Sequence, residues 1–297
     1  MQAAREAFGP AAILSPSVSF ADAFAAVQQG SGDAAIVPVE NSTNGSVVQT
    51  LDLLADRNRL YEDIQVCAEH YLTVHHCVLV RKDGFPEERP SIASIAKLYT
   101  HPQVWGQCDR FLSQNLKGVE RQDVSSTSKA AEIISGQADT GRSAAIANRF
   151  AAEYHGLDVL DADIEDQPDN TTRFLILRNA TSKRTAQLSL SFGGSTDTAT
   201  CSKTTMKTLI SFTINQASPG ALADALLVFK IHGLNLTSIN TRPSRRSPWH
   251  YVFFVECRWD LDTDGGDLVK GLSTSLGAIV EDYRELGAWI DQLPQHG

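Results

Sequence analysis

The sequence has no excess of positive charge: 26 Lys and Arg stand against 35 Asp and Glu in 297 residues, a formal net charge of −9. That balance argues against nucleic acid or an anionic membrane as a partner. It also requires any anionic ligand to find a local positive site against a repulsive background. Cysteine is scarce. Cys67, Cys77, Cys108, Cys201 and Cys257 are odd in number, scattered, and form no Cys-x-x-Cys pair or metal-ligand spacing. A disulfide scaffold is thereby excluded, and a reducing, cytoplasmic compartment fits best. No apolar run is long enough for a membrane span. Residues 1–9 read as a helix ending at a glycine, not as a signal peptide. A Gly-x-Ser-x-Gly nucleophile elbow and a Gly-rich phosphate loop are both missing, which removes the commonest signals for serine hydrolysis and nucleotide binding.

What is present is organised around residues 36–54. The apolar run 34–37 reads as a buried strand that Pro38 brings to an end. Glu40-Asn41-Ser42-Thr43-Asn44-Gly45 follows, then Val47, Val48, Leu51, Leu53 and Leu54 at helical spacing. A polar cluster between a strand end and a helix start has unpaired backbone N–H groups and a positive dipole end at hand. It suits an anion, or simply an N-cap and turn.

Before this stretch, residues 12–14 read as a short strand, and Ser19 caps a helix over 20–29 closed by Gly30. After it, 65–68 and 71–80 are strand-like. His75 and His76 fall on opposite faces of the second run, so they cannot both ligate one ion, and no metal is expected. Residues 82–90 read as a connection between lobes. A second α/β unit then runs from 92, with Thr100-His101-Pro102-Gln103 and Ser125-Ser126-Thr127-Ser128 each placed before a helix. Residues 161–169 cross back, and Asn170-Thr171-Thr172-Arg173 enters the apolar strand 174–177. Residues 179–203, rich in Ser, Thr and Gly, read as a partly disordered linker. Strands near 209–214, 234–241, 249–258 and 278–283 alternate with helices beginning at Pro219-Gly220 and near 267. The order is βαββαβ, a ferredoxin-like unit. Its free sheet edge suggests a homodimer or dimer of dimers.

Three polar clusters, 40–45, 100–103 and 170–174, fit one site between two lobes. Such a site holds hydroxyls, amides, one arginine and helix N-termini, with no metal and no nucleophile–base pair. It suits binding a small carboxylate-bearing molecule and assisting loss of a leaving group.

These residues resemble the prephenate dehydratase family. Pro38-Val39-Glu40-Asn41-Ser42 with Gly45 and Thr50-Leu51-Asp52-Leu53-Leu54 resembles its first signature. His101-Pro102-Gln103, Ser126-Thr127 and Ala144-Ala145-Ile146-Ala147 look like its middle. Asn170 with Thr172-Arg173-Phe174 is similar to its Thr-Arg-Phe signature. Gly220-Ala221-Leu222 and Thr241-Arg242-Pro243-Ser244 resemble the motifs of its C-terminal ACT regulatory domain.

The resemblance implies an α/β fold: a two-lobed, periplasmic-binding-protein-like catalytic domain (lobe 1 at 1–80 plus 165–180, lobe 2 at 81–164), a linker at 181–205 and an ACT domain at 206–297. It implies conversion of prephenate to phenylpyruvate, carbon dioxide and water in phenylalanine synthesis, with no cofactor. Thr172 would assist departure of the hydroxide, with Arg173 and Asn170 beside it. Arg173 and the N–H groups of 41–45 would hold the carboxylates. Glu40, Asn41, Ser42, Thr43, Gly45, Gln103, Ser126, Thr127 and Phe174 would line the substrate. Phenylalanine would bind as effector near Asn215, Gly220, Ala221 and Leu222, with Arg242 and Ser244 coupling the domains. The family normally opens with a strand and a Gly-Pro-x-Gly-Thr loop, and this sequence, which starts at what looks like the helix after that loop, is expected to lack both. Arogenate is the alternative substrate, and a binding or sensor homologue is the non-enzymatic alternative.

Overall fold

The computed structural model describes residues 1–81, 91–136, 142–185, 204–261 and 265–293. The expected inter-lobe connection at 82–90 and most of the expected linker, 186–203, lie outside the described residues. In chain order the helices are α1 (Gln2–Phe8), α2 (Phe20–Gln28), α3 (Val48–Leu54), α4 (Pro102–Gln107), α5 (Asp109–Asn115), α6 (Thr127–Gly136), α7 (Arg149–His155), α8 (Ala221–Ile231) and α9 (Gly265–Gly277). The strands are β1 (Ala35–Asn41), β2 (Gly45–Ser46), β3 (Ile64–Thr73), β4 (Cys77–Val80), β5 (Lys97–Thr100), β6 (Glu120–Asp123), β7 (Ser143–Ala147), β8 (Asp158–Asp161), β9 (Thr171–Asn179), β10 (Thr205–Thr213), β11 (Asn235–Pro243), β12 (Tyr251–Asp260) and β13 (Asp282–Ile290).

The chain divides into two compact units, Met1–Leu72 with Thr172–Gly297, and Thr73–Thr171. These boundaries differ from the expected ones for a physical reason. β4 pairs with both β7 and β8, so residues 77–80 belong to the sheet of the second unit. The C-terminal βαββαβ segment falls in the same unit as the first lobe because the two share one apolar core.

In the first unit a sheet of order β2-β1-β9-β3 and a sheet of order β11-β12-β10-β13 share a cluster. Val37, Val66, Leu175 and Leu177 of the first sheet meet Leu209, Phe254, Leu286 and Trp289 of the second, with Phe24 of α2 and Leu51 of α3. Side chains alternate along a strand. Ile176 therefore leaves this core and packs with Ala7 of α1 and Ala68 on the opposite face. The C-terminal sheet buries its other face under α8 and α9 through Ile210, Phe212, Phe229 and Leu272.

The second unit is a five-stranded sheet, β6-β5-β7-β4-β8. β5 is parallel to β6 and β7, and β4 is antiparallel to β7 and β8. Both faces are covered, by way of Val78 and Val80 on one side and Cys77 and Leu79 on the other.

Three expectations change. Residues 12–14 are turn and irregular backbone, and Ile13 is 99% exposed, so this apolar trio has no sheet to join. The long strand 71–80 is broken at 74–76: the Val74 N–H bonds the Asn170 carbonyl at 2.7 Å and the His76 N–H bonds a Glu165 carboxylate oxygen at 2.8 Å. The last strand starts later than 278 because the Ile279 and Val280 N–H groups turn back onto the Leu276 carbonyl.

Gly287 marks a close approach of the two sheets of the first unit. Its φ is +144°, and a Cβ there would stand 2.0 Å from the Val66 carbonyl oxygen of β3. Backbone cannot yield as a flexible side chain does, so Gly287→Ala must move one sheet off the other. We expect a loss of about 3 kcal/mol or more, at the upper end of overpacking costs, read as a lower urea midpoint. A midpoint unchanged within error would contradict the close approach.

Candidate active site

Residues 40–45 do not stand at a helix N-terminus. β1 runs on through Pro38, with a register shift between Pro38 and Glu40, and the chain folds back into β2 with Glu40 opposite Ser46 and Asn41 opposite Gly45. Gly45, at φ +75°, takes the left-handed backbone that this return requires. The turn is held from inside: Asn41 Oδ1 accepts the N–H groups of Thr43 at 3.1 Å and Asn44 at 2.9 Å. The N–H groups of Thr43 and Asn44 are thus engaged within the turn. The following helix, α3, is capped by Val47 without a side-chain bond. Thr50 is fully buried, its hydroxyl donating to the Pro38 carbonyl at 2.7 Å.

What the hairpin does present is an amide. β9 lies beside β1 with Thr172 opposite Asn41, and Asn41 Nδ2 donates to Thr172 Oγ1 at 3.1 Å. Residues 131 positions apart in sequence are thus brought together as a hydroxyl–amide pair. Both are half-buried, as are Glu40 and Phe174, while Ser42, Thr43 and Gly45 are exposed on the turn. Alternation puts Phe174 and Ile176 on the same face of β9 as Thr172.

Arg173 points the other way, into the first unit. Its Nε donates to Glu69 Oε2 at 2.8 Å, and its Nη2 reaches Glu256 Oε2 of β12. Glu69, 0% exposed, receives Lys207 Nζ at 3.0 Å and the Gln292 N–H at 2.9 Å on its other oxygen. Lys207 also pairs with Asp291 at 2.9 Å, and Thr237 Oγ1 donates to Glu256 Oε1 at 2.7 Å. Burial alone would lower the pKa of Arg173 and of Lys207; the surrounding carboxylates outweigh it and hold both above their ordinary values. Burial pushes the Tyr71 phenol, which receives Lys207 Nζ at 3.1 Å, up to about 12. Arg173 is therefore paired inside the protein, with Glu69 and Glu256 where the resemblance implied a substrate carboxylate. Sequence reasoning missed Glu69, Lys207, Glu256 and Asp291. Their signal was there: Glu256 follows Phe253-Phe254-Val255, and Glu69 follows Ala68, each a charge inside an apolar strand.

In the second unit Gln103 is exposed on the first turn of α4, its N–H bonded to His101 Nδ1 at 3.3 Å. Ser126 Oγ accepts the Lys129 N–H at 3.0 Å as a helix cap, with Thr127 beginning α6. Asn170 is buried. His75 Nδ1 faces Glu165 at 2.7 Å and Asp163 at 3.4 Å, whereas His76 Nε2 faces Gln107 at 2.9 Å, so the two rings have different partners.

Among the expected effector residues, Asn215 Oδ1 accepts the Ala217 N–H at 2.9 Å, and Gly220, at φ +84°, precedes α8. Ala221 and Leu222 pack on the core beneath α8. Ser244 is buried and accepts the Arg246 N–H at 3.3 Å. Arg242 grips Asp52 of α3 through Nε at 2.8 Å and Nη2 at 3.3 Å, which ties β11 to the first lobe.

Fold and site together define a class: a mixed α/β chain with a hydroxyl–amide pair between adjacent strands and a C-terminal βαββαβ sheet consistent with an ACT domain. Among the described residues no helix is long and apolar enough to cross a membrane. The family model for prephenate dehydratase matches residues 1–182, and the chain belongs to that family. It is 36% identical over 255 residues to a bifunctional chorismate mutase/prephenate dehydratase of Neisseria gonorrhoeae, covering 86% of this chain and 62% of that one. The chain thus spans less than two thirds of that relative's length. Its structure resembles a prephenate dehydratase of Arthrobacter aurescens in complex with L-Phe, with TM-score 0.72, 27% identity and coverage of 93% and 80%. It also resembles GqqA, described as a novel type of quorum quenching acylase, with TM-score 0.76, 25% identity and coverage of 98% and 94%.

Two tests follow from this geometry. Lys207→Met leaves Glu69 and Asp291 buried without their shared cation, and loss of one partner of a buried pair costs about 3–5 kcal/mol. Urea unfolding of this variant should show that loss, and a loss below 1 kcal/mol would mean the carboxylates find other partners. Burial alone would raise the Asp52 carboxyl, but hydrogen bonds from Arg242 and Arg57 hold it below its ordinary 3.8. A depressed folded pKa contributes stability that is present above 3.8 and lost as pH falls through the folded value. Asp52→Asn should remove that part of the acid-side slope, and an unaltered slope would count against the pairing.

Proposed function

We propose that this chain is a prephenate dehydratase, converting prephenate to phenylpyruvate, carbon dioxide and water. The observation that carries the reading is the Asn41–Thr172 pair in a chain of this family. In the reaction the bond from the ring to its carboxylate breaks, and the electron pair enters the ring. The C4–O bond breaks as the ring becomes aromatic, and one proton converts the departing hydroxide to water. A threonine hydroxyl is too weak an acid to surrender its proton early, so Thr172 serves by donating a hydrogen bond to the departing oxygen. Asn41 assists in two ways. By donating to Thr172 Oγ1 it occupies a lone pair and leaves the Thr172 O–H as the outgoing donor. By also holding its own turn through Oδ1, it fixes the direction of that donation. Aromatisation supplies much of the driving force, so orientation suffices for a large part of the rate. Glu40, Ser42, Thr43, Gly45 and Phe174 form the surface adjoining the pair, and Gln103, Asn170, Ser126 and Thr127 are further substrate-binding candidates by their likeness to the family's motifs. Phenylalanine acts as effector at the C-terminal sheet around Asn215 and Gly220–Leu222; the L-Phe complex of the Arthrobacter relative supports this. The protein acts as a homodimer or dimer of dimers.

A second reading, an acylase, is favoured by the near full-length likeness to GqqA. The Ser275 hydroxyl lies 3.0 Å from His232 Nε2, a nucleophile–base pairing of the right type, but at the helices of the C-terminal segment.

Purified protein incubated with prephenate should form phenylpyruvate, at a rate that changes when phenylalanine is added. Thr172→Ala should lower kcat about 10²–10³-fold with little change in KM, the scale of one lost transition-state donor, while Thr172→Ser retains most activity. An unchanged kcat in Thr172→Ala would remove Thr172 from the mechanism. No phenylpyruvate from the wild type, with acid released from an acyl amide and abolished by Ser275→Ala, would install the acylase reading instead.

A further inference from the structure

The chemistry above makes no use of Arg173, yet its side chain is gripped by two buried carboxylates. Its guanidinium is held by Glu69 of β3 and Glu256 of β12, that is, by the neighbouring strand of its own sheet and by the C-terminal sheet. Each carboxylate is in turn fixed from behind. Thr237 Oγ1 holds Glu256 at 2.7 Å, and Lys207 and the Gln292 N–H hold Glu69 at 3.0 and 2.9 Å. Arg173 and Thr172 are consecutive, and their side chains leave β9 on opposite faces. Pinning the Arg173 side chain therefore fixes the rotation of β9 about its axis at this point, and with it the direction of the Thr172 hydroxyl toward Asn41.

We propose that Glu256 and Glu69 are positioning residues for the dehydration: gripping Arg173 from two sheets, they hold the Thr172 hydroxyl in its donating geometry. The inference rests on the reading of Thr172 as the donor to the leaving oxygen. It makes one carboxylate of the C-terminal sheet part of the catalytic apparatus in the absence of any effector. It also gives Arg173 a role other than ligand to the substrate. Positional error near 1 Å can cost about 10²-fold in rate. Loosening one of two anchors is a smaller disturbance, for which about tenfold is the expected scale.

The experiment is a double-mutant cycle on the full chain with prephenate as substrate. Glu256→Gln keeps shape and removes charge; its kcat should fall about tenfold, with KM within about twofold of wild type. In the Thr172→Ala background the same substitution should cost no further rate, since the donor it positions is gone. Equal fold-losses in both backgrounds, or an unchanged kcat in Glu256→Gln, overturn the proposal. A rise in KM with kcat preserved overturns it in favour of Arg173 as a carboxylate ligand. If Glu256→Gln does not fold, Thr237→Val loosens Glu256 while leaving its charge in place. It should lower kcat about threefold in the wild-type background and not at all with Thr172→Ala; any other pattern overturns the proposal. A wild type that forms no phenylpyruvate defeats the functional reading itself. An active wild type disabled by Thr172→Ala but indifferent to Glu256→Gln defeats the positioning role alone.

Discussion

The structure of the first unit depends on a buried charge cluster that spans its two sheets. Glu69, Lys207 and Glu256 are 0, 2 and 3% exposed, and Arg173 is 9% exposed. Removing such charges from water costs several kcal/mol per ion even after relaxation. The cost is tolerable only if charge balances and each group meets partners. Both conditions hold. The carboxylates of Glu69, Glu256 and Asp291 are matched by Arg173, Lys207 and, at the rim, Arg258. Each oxygen of Glu69 and of Glu256 accepts at least one donor. A network satisfied in this way is stiff, because moving any member strands another.

This has a consequence for how the chain is partitioned. A βαββαβ segment appended through a linker would ordinarily be a separate body. Here it shares an apolar core with the first lobe through Leu209, Phe254, Leu286 and Trp289, and Gly287 lets its backbone lie against β3. Polar ties surround that core. Arg242 holds Asp52, Ser46 Oγ donates to Asn240 Oδ1 at 2.6 Å, and Arg284 donates to the Tyr61 carbonyl at 2.6 Å. Cut away, the segment would expose an apolar face, and Lys207 and Glu256 would lose Glu69 and Arg173. The C-terminal sheet is thus continuous, through this core and these ties, with the strand that carries Thr172.

Much of the architecture could be read from residue patterns. The helix caps at Ser19 and Ser126, the glycine stops at Gly30, Gly156 and Gly233, and the βαββαβ order are local features, and local features are visible in a window of sequence. The motif order was enough to place the family. What could not be read was pairing across long separations. The cluster 40–45 looks the same whether it caps a helix or turns a hairpin; its role is decided by β9, more than a hundred residues away. Arg173 likewise looks like an anion ligand in isolation. Its partners, Glu69 and Glu256, lie 104 and 83 positions from it, and only the fold reveals that its charge is already neutralised. The misplaced strand at 12–14 has the same origin, since an apolar trio carries no sign of whether a neighbouring strand awaits it.

Why a charged cluster at this place, where apolar side chains would be cheaper to bury? Register offers a physical reason. A slip of β9 by one residue exchanges its two faces. The apolar part of the strand, Phe174-Leu175-Ile176-Leu177, would suffer little, because every position offers a similar side chain to either core. Such a run sets register weakly. Arg173 sets it strongly, since after a slip its guanidinium would turn to the apolar face that Ala7 and Ala68 cover, and two buried carboxylates would lose the cation they share. The penalty falls at the residue beside Thr172, where an error would matter most to the hydroxyl–amide pair. On this view the cluster contributes less to how stable the unit is than to which of two near-equivalent pairings it adopts. The price is paid in desolvation, and what it secures is the direction of one hydroxyl.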